Sequence, residues 1–506
     1  MTSQSMRSNV ATAALHQAGK RRTLSLLAAG LFLTAAFSWP AAAQAPRPAV
    51  TVFEGARLIV GDGSAIENAA FIVENGRFTV VGRNGQVMVP AGATRVDLSG
   101  KTVMPAIVDA HGHPGFVDAV TGQMSKANFT RENYIDHLQR YAYHGVAATI
   151  STGTDMGELA YKLRAETIPN AALIRTVGLG LAYPGSGPAD SSRNDVPYAV
   201  TSVAEARKAV QDLARHKPDF VKIWVDSRGG RQKKLTPEMF AAAADEAHKQ
   251  GLPAIAHVFD LDDAKLLVRA GVEGFLHSIR DQEVDDEFIK LAKEHDIWIT
   301  PNLGGINRAS LIRENGTPAW FDEPLVRETI APALIRERAQ LYEKRKLAGG
   351  APPRPVFDVT NVRKLHAAGV RQVLGSDAAG DGNRWLGLQT LLEFDNMVAA
   401  GFSPMEMIVA ATRDSAKVLR LDQLGMVAPG KSADFIVLDA NPLEAIANVR
   451  KINAVCLRGD AVDRAGLRAK WQAQWREKGQ FRGRPPGPAF GRPDGRLWRN
   501  PESCED

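Results

Sequence analysis

Cysteine is nearly absent: the 506 residues contain two, Cys456 and Cys504. Two thiols cannot staple a chain of this length, so a disulfide framework is excluded and stability has to come from a buried apolar core. Cys456 lies in the strand-like INAVCLRG and reads as a small buried apolar residue, while Cys504 sits near the C-terminus; no bridge between them is expected. Long apolar runs are equally scarce. One follows Lys20, Arg21 and Arg22, at residues 24–37, and leads into WPAAAQA. A basic stretch, a short apolar run and an Ala-x-Ala site make a secretory signal over residues 1–43, with cleavage expected after Ala43. The run is short for a bilayer span and no second one follows, so the mature protein is expected to be exported, periplasmic or secreted, without stable membrane insertion. The body also lacks basic charge. Residues 1–43 hold four Lys/Arg and no acid and residues 464–506 hold ten against five, so the +6 total leaves about −3 for residues 44–463. Nothing there favours nucleic acid. Residues 464–506, with FRGRPPGPAFGRPDGR, are rich in Pro, Gly and Arg and are expected to form a flexible basic tail.

What is present falls into two textures. Residues 50–104 alternate short apolar strands with tight turns, Asn75-Gly76 supplying a hairpin signal, and the same texture returns at 420–463. Neither piece buries a core alone, so the two ends are expected to pair into one small β-sandwich domain. Between them, at 105–419, strand-like runs alternate with helical ones, and a glycine repeatedly closes a helix just before the next strand, as in YHGVAATI and KQGLPAIAH. Thr236 followed by Pro237 marks a helix start. Eight strands are expected, at 105–110, 147–153, 172–180, 220–226, 253–258, 273–278, 297–302 and 372–377. That alternation predicts an α/β fold, a (β/α)8 TIM barrel with its site at the strands' C-terminal ends. A doubly wound sheet is the alternative, but no Gly-rich phosphate loop follows the first strand.

Histidine is scarce too, with 11 residues, which makes its placement informative. The first strand ends in His111-Gly112-His113, whose side chains share one face if the strand continues. The fifth ends in His257, the sixth in His277, and the eighth in Asp377. Neutral imidazoles and a carboxylate suit a divalent ion of the zinc type. Five such groups exceed the needs of one tetrahedral ion with an open position, so two ions are indicated. Lys222 interrupts the apolar fourth strand, DFVKIWVD. An ammonium there is repelled by cations, whereas a buried neutral amine takes up CO2 and becomes a carbamate able to bridge them.

This set resembles the amidohydrolase superfamily, specifically its binuclear members with a carboxylated lysine on strand 4 and the imidazolonepropionase-related, prolidase-like branch that includes ochratoxin amidases. The resemblance covers residues 50–463, from VMPAIVDAHGHPG to LGMVAPGKSADFIVLDANPL. It implies two divalent ions, Zn2+ being the expected one: His111, His113 and Asp377 would hold the first, His257 and His277 the second, and carboxylated Lys222 with a hydroxide would bridge them. Attack of that hydroxide on an amide, peptide or cyclic amide follows, with Asp377 moving the proton to the leaving nitrogen. Tyr183, after strand 3, is a candidate donor to the oxyanion. Arg228, after strand 4, is a candidate clamp for a substrate carboxylate. Two loops depart from the branch: GLAYPGSGP stands where Gly-Gly-His-Gly is usual, and GDGNRWLG lacks a histidine after the strand-8 aspartate. Ester, lactone or phosphotriester hydrolysis and deamination of an aminated heterocycle are the alternatives; Asp260 stands where deaminases carry glutamate. A small molecule or short peptide is the expected partner, and homo-oligomerisation is left open.

Overall fold

A computed structural model describes residues 50–304, 316–348, 357–380 and 385–480. The expected leader and its Ala43 site lie outside the described residues, as do 481–506 with Cys504. The N-terminal strands are β1 (Thr51–Ile59), β2 (Ala65–Glu74), β3 (Arg77–Arg83), β4 (Thr94–Asp97) and β5 (Thr102–Pro105). Then come β6 (Ile107–Gly112), β7 (Val146–Ser151), β8 (Leu173–Thr176), β9 (Leu181–Ala182), β10 (Tyr198–Ala199), β11 (Val221–Val225), β12 (Ala254–Val258), β13 (Gly274–Leu276), β14 (Trp298–Thr300) and β15 (Arg371–Gln372). The last are β16 (Phe435–Leu438), β17 (Ile452–Leu457) and β18 (Asp460–Ala461).

Strands from both ends of the chain form one mixed sheet, ordered β18-β17-β16-β5-β1-β2-β3, with β4 also paired to β1. The ends meet where β16 runs antiparallel to β5, Phe435 opposite Pro105. Phe435 then packs edge-on against Phe53 and Phe71, with ring centroids 5.1 and 5.2 Å away. Asn75-Gly76 turns β2 into β3 with φ of 52° and 72°, the left-handed pair a two-residue hairpin requires.

The remaining strands are parallel. One sheet is β6-β7-β8 and the other β10-β9-β11-β12-β13-β14-β15. Their runs are apolar because helices cover one side and neighbouring strands the other; β11, VKIWV, is buried at all five positions. Backbone bonds also cross between the two sheets: Asp219 N donates to Thr176 O at 2.9 Å, and Asp377 N to His111 O at 2.9 Å. Seven of the eight expected segments overlap a strand of three or more residues, whereas the eighth, 372–377, meets β15 only at Gln372, and the third is broken. β8 stops at Thr176 and pairing resumes at β9, because Gly178 has φ of 66° and a Cβ there would lie 1.9 Å from the Tyr161 hydroxyl. Thr236 caps the helix Pro237–Lys249, accepting a hydrogen bond from Met239 N.

The tail requires correction. Residues expected to be flexible from 464 onward begin with a 17-residue helix, Arg464–Gln480. Trp471 is fully buried in it, its Nε1 donates to Asp136 Oδ1 at 2.8 Å, and the Arg140 guanidinium lies 4.4 Å from the indole centroid. Lys470 also donates to Asp136, and Lys478 to Asp118. Composition misled because the Pro/Gly/Arg-rich stretch lies beyond residue 480. Leu467, Trp471 and Trp475 recur every fourth residue, the apolar stripe of a docked helix.

Candidate metal centre

The expected histidine ligands stand at or just past the carboxyl ends of parallel strands, whereas Lys222 is the second residue of its strand. His111 closes β6 with His113 beyond it; Lys222 lies in β11, His257 in β12, His277 one residue after β13, and Asp377 five after β15. The imidazoles form a chain, with ring centroids 5.3 Å apart for His113–His111, 4.9 Å for His111–His277 and 4.6 Å for His277–His257. Asp377 Oδ1 approaches His113 Nε2 to 3.3 Å and His111 Nε2 to 3.6 Å. One ligand atom from each of these three residues lies within 4.8 Å of the other two.

Lys222 lies close to this group. It is fully buried, and a proton on its amine would lower the proton affinity of all four histidines. Its stem is walled by Gly153 and Gly180, where a Cβ would come within 3.2 and 3.1 Å of Lys222 Cγ and closer still to Trp224. Burial pushes the amine pKa well below the lysine range, opposed by Asp377. The histidines are likewise kept neutral by burial: His111 and His277 fall well below their usual value, and His113 to about 4. Asp377 behaves oppositely. Burial favours its protonation, but His111, His113 and the buried Arg193 guanidinium hold it well below the carboxylate range.

Four buried nitrogens here have no hydrogen-bond partner among the described residues: His111 Nε2, His257 Nε2, His277 Nδ1 and Lys222 Nζ. Each costs about 1–3 kcal/mol when left unsatisfied, so a cluster of four facing one another is unfavourable unless something ligates them. Neutral imidazoles, a neutral amine and an ionised carboxylate form a donor set that fits divalent ions. The backbone is strained in the same place. His277, Asn302 and Asp377 adopt φ of 86°, 54° and 52°, conformations that L-residues adopt at functional sites only when their surroundings enforce them.

Residues that the sequence reading missed hold the ligands in place. Asn302, past β14, donates from Nδ2 to Gly375 O at 2.6 Å, which turns Oδ1 toward His111 Nδ1 at 2.9 Å. His111 therefore donates from Nδ1 and keeps the Nε2 lone pair for a metal. Asp109, buried beneath, ties β6 to the strand-8 segment by accepting from Ser376 Oγ at 2.5 Å and Thr390 Oγ1 at 2.6 Å, and burial lifts its pKa to about 6. Asp226 places Oδ2 3.4 Å from His257 Nε2, without the alignment of a hydrogen bond. Two of these three had a signal. Asn302 obeys the strand-end rule that found the histidines, and Asp226, one residue past β11, is four residues after Lys222, a spacing that shares a face where a strand continues.

The two proposed substrate contacts stand apart from the ligands. Arg228 donates from Nη2 to Gly187 O at 3.0 Å and its Nε lies 3.9 Å from Asp226, so its guanidinium ties the loops after the third and fourth strands. Tyr183 packs its ring on the aliphatic core beside β11 and β12, with Lys233 Nζ 5.7 Å from the ring centroid. Asp260 precedes the helix Leu261–Arg269 and pairs with Lys234 at 3.4 Å.

A family model described as Amidohydrolase family matches residues 102–462. The ochratoxinase of Aspergillus niger is 26% identical over 449 residues, spanning 80% of this chain and 84% of that protein. An imidazolonepropionase of Streptomyces coelicolor is 23% identical over 388 residues, 74% of this chain and 86% of that one. The structure of molinate hydrolase superposes with a TM-score of 0.65 at 21% identity, over 83% of this chain and 96% of that one, and shares the fold.

Proposed function

We propose that this chain, which belongs to the amidohydrolase family, is a metal-dependent hydrolase acting on a carbon–nitrogen bond in an amide, peptide or cyclic amide. The observation that carries the reading is the convergence of His111, His113, His257, His277, Lys222 and Asp377, with four buried nitrogens that have no hydrogen-bond partner among the described residues. His111, His113 and Asp377 would hold one ion, His257 and His277 a second, and Lys222 both. Lys222 serves as a carbamate: its neutral amine adds to CO2 and releases one proton. Divalent ions of the zinc type, when bound, polarise a carbonyl oxygen and acidify water near neutral pH. Asp377 turns Oδ1 to the imidazoles and takes up a proton at Oδ2, then returns it to the leaving nitrogen. The reading treats the parallel strands as one closed (β/α)8 barrel, supported by the backbone bonds between the two sheets, and the mixed sheet as its small β domain.

Deamination is disfavoured because Asp260, a methylene shorter, stands where deaminases carry glutamate, and because a single-metal deaminase does not need Lys222. Ester, lactone and phosphotriester hydrolysis call on the same centre and are separated from amide cleavage by experiment. Purified protein should contain about two divalent ions, the number that a six-group donor set accommodates. It should cleave N-acyl amino acids or dipeptides in a panel that also holds lactones, phosphotriesters and aminated heterocycles. Metal-free protein that stays metal-free on Zn2+ addition, or turnover confined to the non-amide members, would refute the proposal.

A further inference from the structure

The loop after strand 6 carries a cation that the mechanism above does not use. Arg280 stands three residues beyond His277, and its backbone N donates to Phe259 O at 2.9 Å. Its guanidinium carbon lies 4.3 Å from the centroid of the Phe259 ring. That ring in turn packs at 4.5 Å against His257 and 5.0 Å against His277. One phenyl ring thus separates the guanidinium from both second-site imidazoles. Arg280 makes no ion pair within 4.0 Å among the described residues, and its buried Nε has no hydrogen-bond acceptor. Burial lowers its pKa from the usual arginine value, opposed by the charges of Asp358, Asp377, Asp226 and Glu393. A half-buried guanidinium stacked on an aromatic face, with donors unspent, is held rigid for a planar anion.

We propose that Arg280 binds the carboxylate of the substrate, so that the enzyme prefers N-acyl amino acids or peptides whose free carboxylate lies on the second-metal side of the scissile amide. This rests on the amide-cleaving reading and narrows it to acidic substrates. It also moves the anion clamp from Arg228, whose guanidinium already donates to Gly187 O, to a residue whose donors remain available.

The test compares the native protein with Arg280→Met and Arg280→Lys, all metal-loaded, with metal content and thermal unfolding checked on each. The probes are N-acetyl-glycine, N-acetyl-leucine and N-acetyl-phenylalanine with their C-terminal amides. Dissociation constants come from calorimetry, and kcat/KM is measured wherever turnover occurs. The native protein should bind acids more tightly than amides. Arg280→Met should weaken the acids by about 10- to 150-fold, the range for a hydrogen bond to a charged group, and leave the amides unchanged. Arg280→Lys keeps the charge without the fork and should fall between; it decides the matter if the Met variant does not fold. Equal affinity of the native protein for acids and amides, no binding of either, or equal losses on both overturns the proposal. Discrimination without turnover refutes amide cleavage alone, whereas cleavage without discrimination refutes the Arg280 role alone.

Discussion

Lys222→Met separates what a buried amine costs the chain from what it supplies to the ions. The side chain is 0% exposed and its Nζ has no hydrogen-bond partner among the described residues. Burial lowers its pKa well below the usual range, so the unfolded chain binds a proton that the metal-free folded chain does not. The folded-state pKa is the lower of the two. Stability therefore rises with pH between that value and the unfolded one, by ~1.4 kcal/mol per unit. The direction is therefore a stability that increases from pH 7 towards pH 9 in the metal-free protein. Methionine keeps an unbranched stem and has nothing to titrate. In chelator, the variant should lose this slope and be at least as stable as the parent at pH 7. With metal the order should reverse, because methionine forms no carbamate and at least one ion is lost. Urea unfolding at pH 7, 8 and 9, with and without chelator, reads the first effect; metal analysis of the same samples reads the second. Equal pH slopes in chelator would refute the buried-amine argument, and unchanged metal content would refute the shared-ligand role.

Two further outcomes are expected. Trp471→Ala removes a fully buried indole and its bond to Asp136, and should cost about 3–5 kcal/mol by urea unfolding; truncation after residue 463 should cost more, and a fully stable truncated protein would show that the helix does not dock. Asn302→Leu frees the His111 ring to take the wrong tautomer and should weaken metal binding ~10- to 100-fold in competition with a chromophoric chelator, the usual range for a ligand's outer partner. Unchanged affinity would assign Asn302 to the Gly375 carbonyl alone.

Local sequence pattern located the residues that the fold brings together. A polar residue that ends an apolar run needs a partner when it is buried, so His111, His257, His277 and Asp377 were legible from local pattern, and Lys222 from its intrusion into VKIWV. Glycine and proline punctuation marked the helix ends for the same reason: Thr236-Pro237 and Asn75-Gly76 act through local backbone geometry. Contacts between segments distant in sequence were decided only by the tertiary structure. Asn302 selects the tautomer of His111 from 191 residues away, and Trp471 finds Asp136 from 335 residues away. Arg228 and Arg280 look alike as loop arginines; one donates from Nη2 to the Gly187 carbonyl beside Asp226, and the other lies over Phe259 with no side-chain hydrogen bond among the described residues, a difference that exists only once the loops are placed side by side. Local pattern reports what a residue type tolerates, whereas the partner that satisfies it, and so its role, is set by packing across the fold.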